Sequence, residues 1–159
     1  MIGMGTIVEG GVLRFERDLP GPIERVWAYL TEDDKLGQWF AHGNVTPRVG
    51  GDVTLAIGMN GRVTVYDRPN VLEYTWNEPQ RETLPVFDAL VRWELRAQDD
   101  GVHLTLTHSR LPAATYPQFG AGWHTLLERI TVALAGRQNG DLMTEFAAVQ
   151  PAYEASFAS

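Results

Sequence analysis

The chain contains no cysteine. That removes disulfides, thiolate catalysis and cysteine-based zinc sites together, and it fits a reducing cytoplasm. No apolar run approaches membrane-spanning length, so no membrane insertion is expected. The N-terminal MIGMGTIVEGG lacks both a basic region and an apolar core, which argues against a secretory signal. Basic residues are in the minority: 13 Lys and Arg against 20 Asp and Glu give a formal charge of −7. The arginines are scattered among acids and form no basic stripe, so nucleic acid is not an expected partner. No histidine pair has the i, i+4 spacing of a helical zinc motif, and there is no nucleophile elbow, triad string, phosphate loop or GxGxxG element. Neither a metal nor a cofactor is expected. Internal repeats and low-complexity tracts are also missing.

What is present is an ordinary globular composition: 159 residues, 44% hydrophobic and 21% charged, enough for one domain with a sizeable core. Residues 1–11 read as a Gly-rich flexible leader. A strand is expected over 12–19, with Leu13, Phe15 and Leu19 on one face. Pro22 suits a helix start, and Ile23, Val26, Trp27 and Leu30 then recur at helical spacing. Residues 31–34 can form a capping box for a second short helix carrying Leu36, Trp39 and Phe40. From residue 44 the period changes to two. Strands are expected over 45–49, 52–58, 62–68, 71–78, 89–98 and 101–108, with Asn60-Gly61 as a hairpin turn. A long helix is expected over 117–137. Asn139-Gly140 breaks it, Asp141 caps a short helix to Val149, and the chain from Pro151 is expected to be irregular.

One-sided alternation implies an antiparallel sheet with a wet face and a buried face, which helices must cover. The most informative stretch is residues 101–137. Its strand places Val102, Leu104, Leu106 and His108 on one face and His103, Thr105 and Thr107 on the other. Its helix places Trp123, Leu127, Ile130 and Leu134 on one stripe. These two apolar surfaces should cover each other, either as a filled core or across a pocket. The aromatic set Trp39, Phe40, Tyr74, Trp76, Trp93, Tyr116, Phe119 and Trp123 suits both outcomes. His108 is either a ligand contact or a histidine satisfied at the sheet edge. His124, a quarter-turn off the stripe, is either a rim group or cover for the helix flank. His103 faces outward and His42 lies in a loop.

The strings ERVWAYLTEDDKLGQWF (24–40), GGDVTL (50–55), RPNVLEYTW (68–76), LTLTHSRLP (104–112) and GWHTLLERI (122–130), in this order, resemble the START-like (SRPBCC) superfamily. More narrowly they resemble bacterial proteins related to the C-terminal domain of the Hsp90 ATPase activator. The resemblance implies an α+β helix-grip fold. A curved antiparallel sheet of about six or seven strands would wrap around a long C-terminal helix, with two short helices after the first strand. The domain would span 12–137, with 138–159 as an extension. It also implies a cavity between sheet and helix that binds an apolar, aromatic or lipid-like small molecule. Trp39, Phe40, Tyr74, Trp76, Trp93, His108, Arg110, Tyr116, Phe119, Trp123, His124 and Leu127 are the expected ligand-binding set, and no catalytic residue is assigned. The sequence departs from the family in two places. Arg110 stands where glycine is common, which would put a cation beside the cavity entrance. The tail is long enough to fold over that entrance or to serve a homodimer contact through Tyr153 and Phe157. Two other functions stay open: a cavity enzyme of cyclase, dehydratase or hydrolase type, and a co-chaperone of the Hsp90 type. Fold alone does not choose among them.

Overall fold

A computed structural model describes residues 5–8, 11–82 and 84–157. Its strands are β1 (Thr6–Val8), β2 (Val12–Leu19), β3 (Gly43–Val45), β4 (Asp52–Leu55), β5 (Met59–Asp67), β6 (Val71–Glu78), β7 (Val86–Gln98) and β8 (Gly101–Ser109). Helices α1 (Ile23–Thr31) and α2 (Asp33–Trp39) follow β2, while α3 (Tyr116–Leu134) and α4 (Leu142–Phe157) end the chain. The eight strands form one antiparallel sheet in the order β1-β2-β8-β7-β6-β5-β4-β3. The first long strand thus pairs with the last, and α1 and α2 carry the chain from β2 to β3 at the opposite edge. This is the α+β helix-grip arrangement.

The period-two pattern sets the faces. Leu72, Tyr74 and Trp76 of β6, Val91, Trp93 and Leu95 of β7, and Val102, Leu104, Leu106 and His108 of β8 are all buried. Trp123, Leu127, Ile130 and Leu134 of α3 lie over them, each no more than 4% exposed.

Several local expectations need correction. The strand count exceeds the expected six or seven because Thr6–Val8, placed in the leader, pair with β2, and the Gly5 N–H donates to the Tyr153 hydroxyl at 2.8 Å. The remaining leader residues 1–4, 9 and 10 lie outside the described residues. Asn60-Gly61 is not the turn: both residues belong to β5, and the chain reverses at residues 56–58. Gly61 is needed for close approach instead, since a Cβ there would lie 1.8 Å from the Thr75 carbonyl oxygen. Thr31 does not cap α2. Its Oγ1 donates to the Trp27 carbonyl at 2.9 Å, the local back-bond that threonine commonly makes inside a helix.

The tail differs most. Asp141 does cap α4, its Oδ2 accepting from the Thr144 N–H at 2.9 Å and the Thr144 hydroxyl at 2.7 Å. However, α4 continues through Pro151 to Phe157. An interior proline costs a helix about 3 kcal/mol, and here tertiary anchoring outweighs it. Tyr153 is fully buried, and its hydroxyl also meets His124 Nδ1 at 2.8 Å. Gly120 permits that approach, because a Cβ there would lie 2.6 Å from the Tyr153 ring. Tyr153 is thus buried inside the domain and presents no face for the expected dimer contact, while Phe157 is half-buried against Tyr116. Among the described residues no helix is long and apolar enough to cross a membrane.

Candidate functional site

Beneath α3, the expected aromatic set divides into two parts. One is sealed. The ring of Trp93 lies 6.1 Å from Trp39 and 5.5 Å from Trp123, both edge-on. Each indole N–H there has a protein acceptor: Trp39 donates to the Tyr29 carbonyl at 2.8 Å, Trp93 to the Tyr74 hydroxyl at 3.0 Å, and Trp123 to His108 Nδ1 at 2.9 Å. Burial of the indole is thereby compatible with satisfying its polar handle. Leu127 fills the same layer and is fully buried. Burial also pushes the Tyr74 phenol up, so it stays protonated.

His108 belongs to this sealed part. Indole N–H is only a donor, so Nδ1 must accept and Nε2 carries the proton. That Nε2–H is buried with no acceptor among the described residues. It is surrounded by Trp76, Phe119 and Trp123, with ring centroids 5.0 to 5.9 Å away. Desolvation pushes the imidazole down to about 3. A neutral, enclosed ring whose one basic nitrogen is already occupied is not a general base in this conformation.

The other part is hollow. A cavity of about 320 Å³ opens between the end of β6, the first half of α3 and the start of α4. Phe40, Trp76, Phe119 and Trp123 form its aromatic walls. Phe40 and Trp76 are nearly parallel, 7° between planes at 6.2 Å, while Trp123 meets Trp76 edge-on at 5.4 Å. Leu126 of α3 and Leu142, Met143 and Phe146 of α4 complete the apolar lining, with Ile57 from the β4–β5 turn at the mouth. Gly122 lies on the α3 side, and a Cβ there would meet nothing within 4 Å. The polar side chains of the lining are Glu78, Arg81 and Gln118.

Of the twelve expected site residues, the structure therefore brings Phe40, Trp76, Phe119 and Trp123 to the hollow. Trp39, Tyr74, Trp93 and Leu127 pack in the sealed layer, with His108 directly behind three of the hollow's rings. Three residues lie elsewhere. Arg110 leaves the strand at a φ of 63° and is exposed; the cation at the hollow is Arg81 instead. Tyr116 packs on Phe157. His124 is covered by α4, its Nε2 meeting Glu128 at 2.9 Å and its Nδ1 meeting Tyr153. Burial lowers its basicity, against the opposing pull of Glu128.

Glu78 was legible in principle. It continues the in-facing register Leu72, Tyr74, Trp76 of β6, so period two alone carries a carboxylate onto the buried face. Arg81 and Gln118 had no such signal, because the loop and helix start that hold them are brought together only by the tertiary fold. The α4 residues required knowing that the tail is a helix docked on α3.

The architecture defines a helix-grip domain whose grip is closed over most of its length and open near the start of α3. The family described as activator of Hsp90 ATPase homolog 1-like protein matches residues 20–135, and the chain belongs to that family. No curated protein matches the chain. Among solved structures, the protein encoded by gene BPP1335 of Bordetella parapertussis is 30% identical, with a TM-score of 0.74 over 96% of this chain and 89% of that one. CalU16 from Micromonospora echinospora is 22% identical, with a TM-score of 0.72 over 98% and 96%. DynU16, a protein of the dynemicin biosynthetic locus, is 22% identical, with a TM-score of 0.68 over 80% of this chain and 48% of that one. The latter two share the fold.

Proposed function

We propose that this protein is a small-molecule binding protein that holds an apolar or aromatic ligand in the hollow between β6, α3 and α4. The observation that carries the reading is the hollow itself: about 320 Å³ walled by four aromatic rings, beside a core of the same residue types that is filled. Ligand sites run from roughly 300 to 1,000 Å³, so this one suits a compact planar molecule better than a long acyl chain. Burying about 250 Å² of such a ligand contributes roughly 6 kcal/mol before the cost of immobilising it. Gly122 supports the same reading. Glycine inside a helix is about 0.5–1 kcal/mol worse than alanine, yet space for a side chain is free there. The missing side chain keeps the hollow open. The cysteine-free composition supports placing this receptor in the cytoplasm.

The test is titration of tryptophan emission with a panel of planar aromatics and fatty acids. Trp76 and Trp123 line the hollow, so saturable quenching by the planar compounds is expected, and Gly122→Leu, which inserts a side chain there, should abolish it. No saturable quenching by any member, or equal quenching in the variant, would refute the reading.

A further inference from the structure

Helix α4 is fastened near both ends. At its start the Arg129 guanidinium donates to the Gly140 carbonyl at 2.9 Å and to Glu145 Oε1 at 2.5 Å, while its Nε–H donates to the Trp39 carbonyl at 2.9 Å. The first turns, through Phe146, wall the hollow. Further along, Pro151 has no N–H for the Ala147 carbonyl, so the helix's own ladder holds its last turns less firmly. Tyr153 carries them. It is the one fully buried residue of α4, with its ring against Phe15, His124 and Phe157. Its hydroxyl accepts from the Gly5 N–H at 2.8 Å, so both ends of the domain meet on this one oxygen. The hydrogens around His124 are fixed by their partners. Nε2 lies 2.9 Å from a Glu128 carboxylate oxygen and therefore carries the ring proton. Nδ1 then accepts from the Tyr153 hydroxyl at 2.8 Å. Three donors meet three acceptors only while His124 is neutral.

We propose that His124 is an acid-sensitive catch: it latches the end of α4 onto α3 at neutral pH and lets it go when the imidazole takes up a proton. With both ring nitrogens protonated, the Tyr153 hydroxyl faces a donor and its own hydrogen has lost its acceptor. In a buried place that loss is costly. The charged and titratable groups that face His124 are Glu128 on its own helix, Arg17 on β2 and Tyr153 on α4. Burial, with Arg17, opposes the imidazolium, and half-exposed Glu128 favours it; burial prevails, so the latched ring sits below its ordinary 6.5. Lifting α4 uncovers the ring, which then titrates near that ordinary value. The unlatched form binds a proton that the latched form refuses, so its share grows as pH falls. A strap that lifts takes Phe146 away from the wall of the hollow. Control of ligand release by this catch rests on the reading that the hollow is a ligand site; the unlatching itself does not.

Amide exchange of the full chain at pH 7.5 and pH 5.0, corrected for the intrinsic effect of pH on exchange, tests this. One histidine of ordinary value can raise the unlatched share at most about thirtyfold over that range. Protection across residues 147–157 should fall roughly tenfold, from a level below that of β7 at either pH. His124→Asn keeps an acceptor in the place of Nδ1 and has nothing to titrate. In it the fall should shrink below about twofold, while β7 keeps the acid response that His108 gives it. Glu128→Gln keeps an acceptor for Nε2–H and removes the charge that favours the imidazolium, so its fall should exceed that of the unaltered chain. No fall in the unaltered chain, an undiminished fall in His124→Asn, or protection of α4 equal to that of β7 overturns the catch. Should His124→Asn fail to fold, Glu128→Gln decides, and a fall no larger than in the unaltered chain overturns it. For the hollow, the probe is 1-aminoanthracene, followed by its own emission on dilution. Its departure should quicken by the factor read from exchange. Departure at one rate at both pH values overturns the control of release. Failure of the probe and of the planar panel to bind overturns the ligand reading and leaves the catch standing.

Discussion

The sealed and hollow halves of the space under α3 are built from the same residue types, yet one is packed and the other is open. In the sealed half, indoles from α2, β7 and α3 meet edge-on, and every one finds an acceptor for its N–H. In the hollow half, the in-facing position at the end of β6 is Glu78 and the facing helix position is Gly122. A carboxylate cannot fill an apolar gap, and a glycine has nothing to fill it with. Aromatic content does not separate core from pocket here. Two substitutions in an otherwise apolar pattern do, and α4 then supplies the missing wall with Leu142, Met143 and Phe146.

The contrast breaks most visibly under truncation. Trp93→Ala removes a side chain 1% exposed and orphans the Tyr74 hydroxyl as acceptor; it should cost about 3–5 kcal/mol in urea unfolding. Met143→Ala, at 67% exposure on the hollow's rim, should stay within about 0.5 kcal/mol while weakening ligand binding. Comparable losses from the two would mean that the halves are one continuous core.

Much of this was readable from residue order and some was not. Period two placed Val102, Leu104, Leu106 and His108 on the buried face, and helical spacing placed Trp123, Leu127, Ile130 and Leu134 over them, because both patterns are local and strong. Which rings would pack and which would line a space depends on distances between β6, α3 and α4, and no local pattern encodes those. Arg110 illustrates the limit. Its unusual identity was visible, but its left-handed backbone at the strand end leaves it in solvent. The cation at the hollow comes instead from Arg81 in a loop without periodicity. Pro151 misled in the opposite direction: a sound helix-breaker rule was overridden by the anchoring of Tyr153.

Acid should reveal the sealed half next. His108 is held neutral with a folded value of about 3 against an ordinary 6.5. Between those values the unfolded chain binds the extra proton, so stability is complete above pH 6.5 and falls as pH drops toward 3. At pH 4.5 the loss should be about 2–3 kcal/mol. His124, also lowered by burial, acts in the same direction. His103 acts oppositely. Asp18 and Glu16 raise its value, so its contribution is full at acid pH and is lost as pH climbs through the raised value. His108→Gln retains an acceptor for Trp123 and removes the titration; its unfolding free energy should be markedly flatter between pH 6.5 and 4.5. An unchanged slope would show that His108 is not sealed as described.

Tyr153→Phe separates the halves by dynamics. It leaves the Gly5 N–H and His124 Nδ1 without their shared partner, at about 1–2 kcal/mol. Because α4 packs on α3, on Phe15 of β2 and over the hollow, amide exchange should quicken across α4 while β7 and β8 stay protected. An equal loss of protection in β7 would show that α4 also holds the sealed half together.

The smallest effect has the opposite sign. Gly122→Ala adds a methyl group where nothing lies within 4 Å, in a helix whose backbone gains from it. It should stabilise the protein by about 0.5–1 kcal/mol with little change in the sealed half. The same methyl narrows the hollow beside Trp123 and Leu126, so ligand affinity should drop as stability rises. That inverse pairing marks a position kept small for binding rather than for folding. If Gly122→Ala destabilises the chain in urea, the space beside α3 is not free, and the distinction between a filled and an open half loses its clearest support.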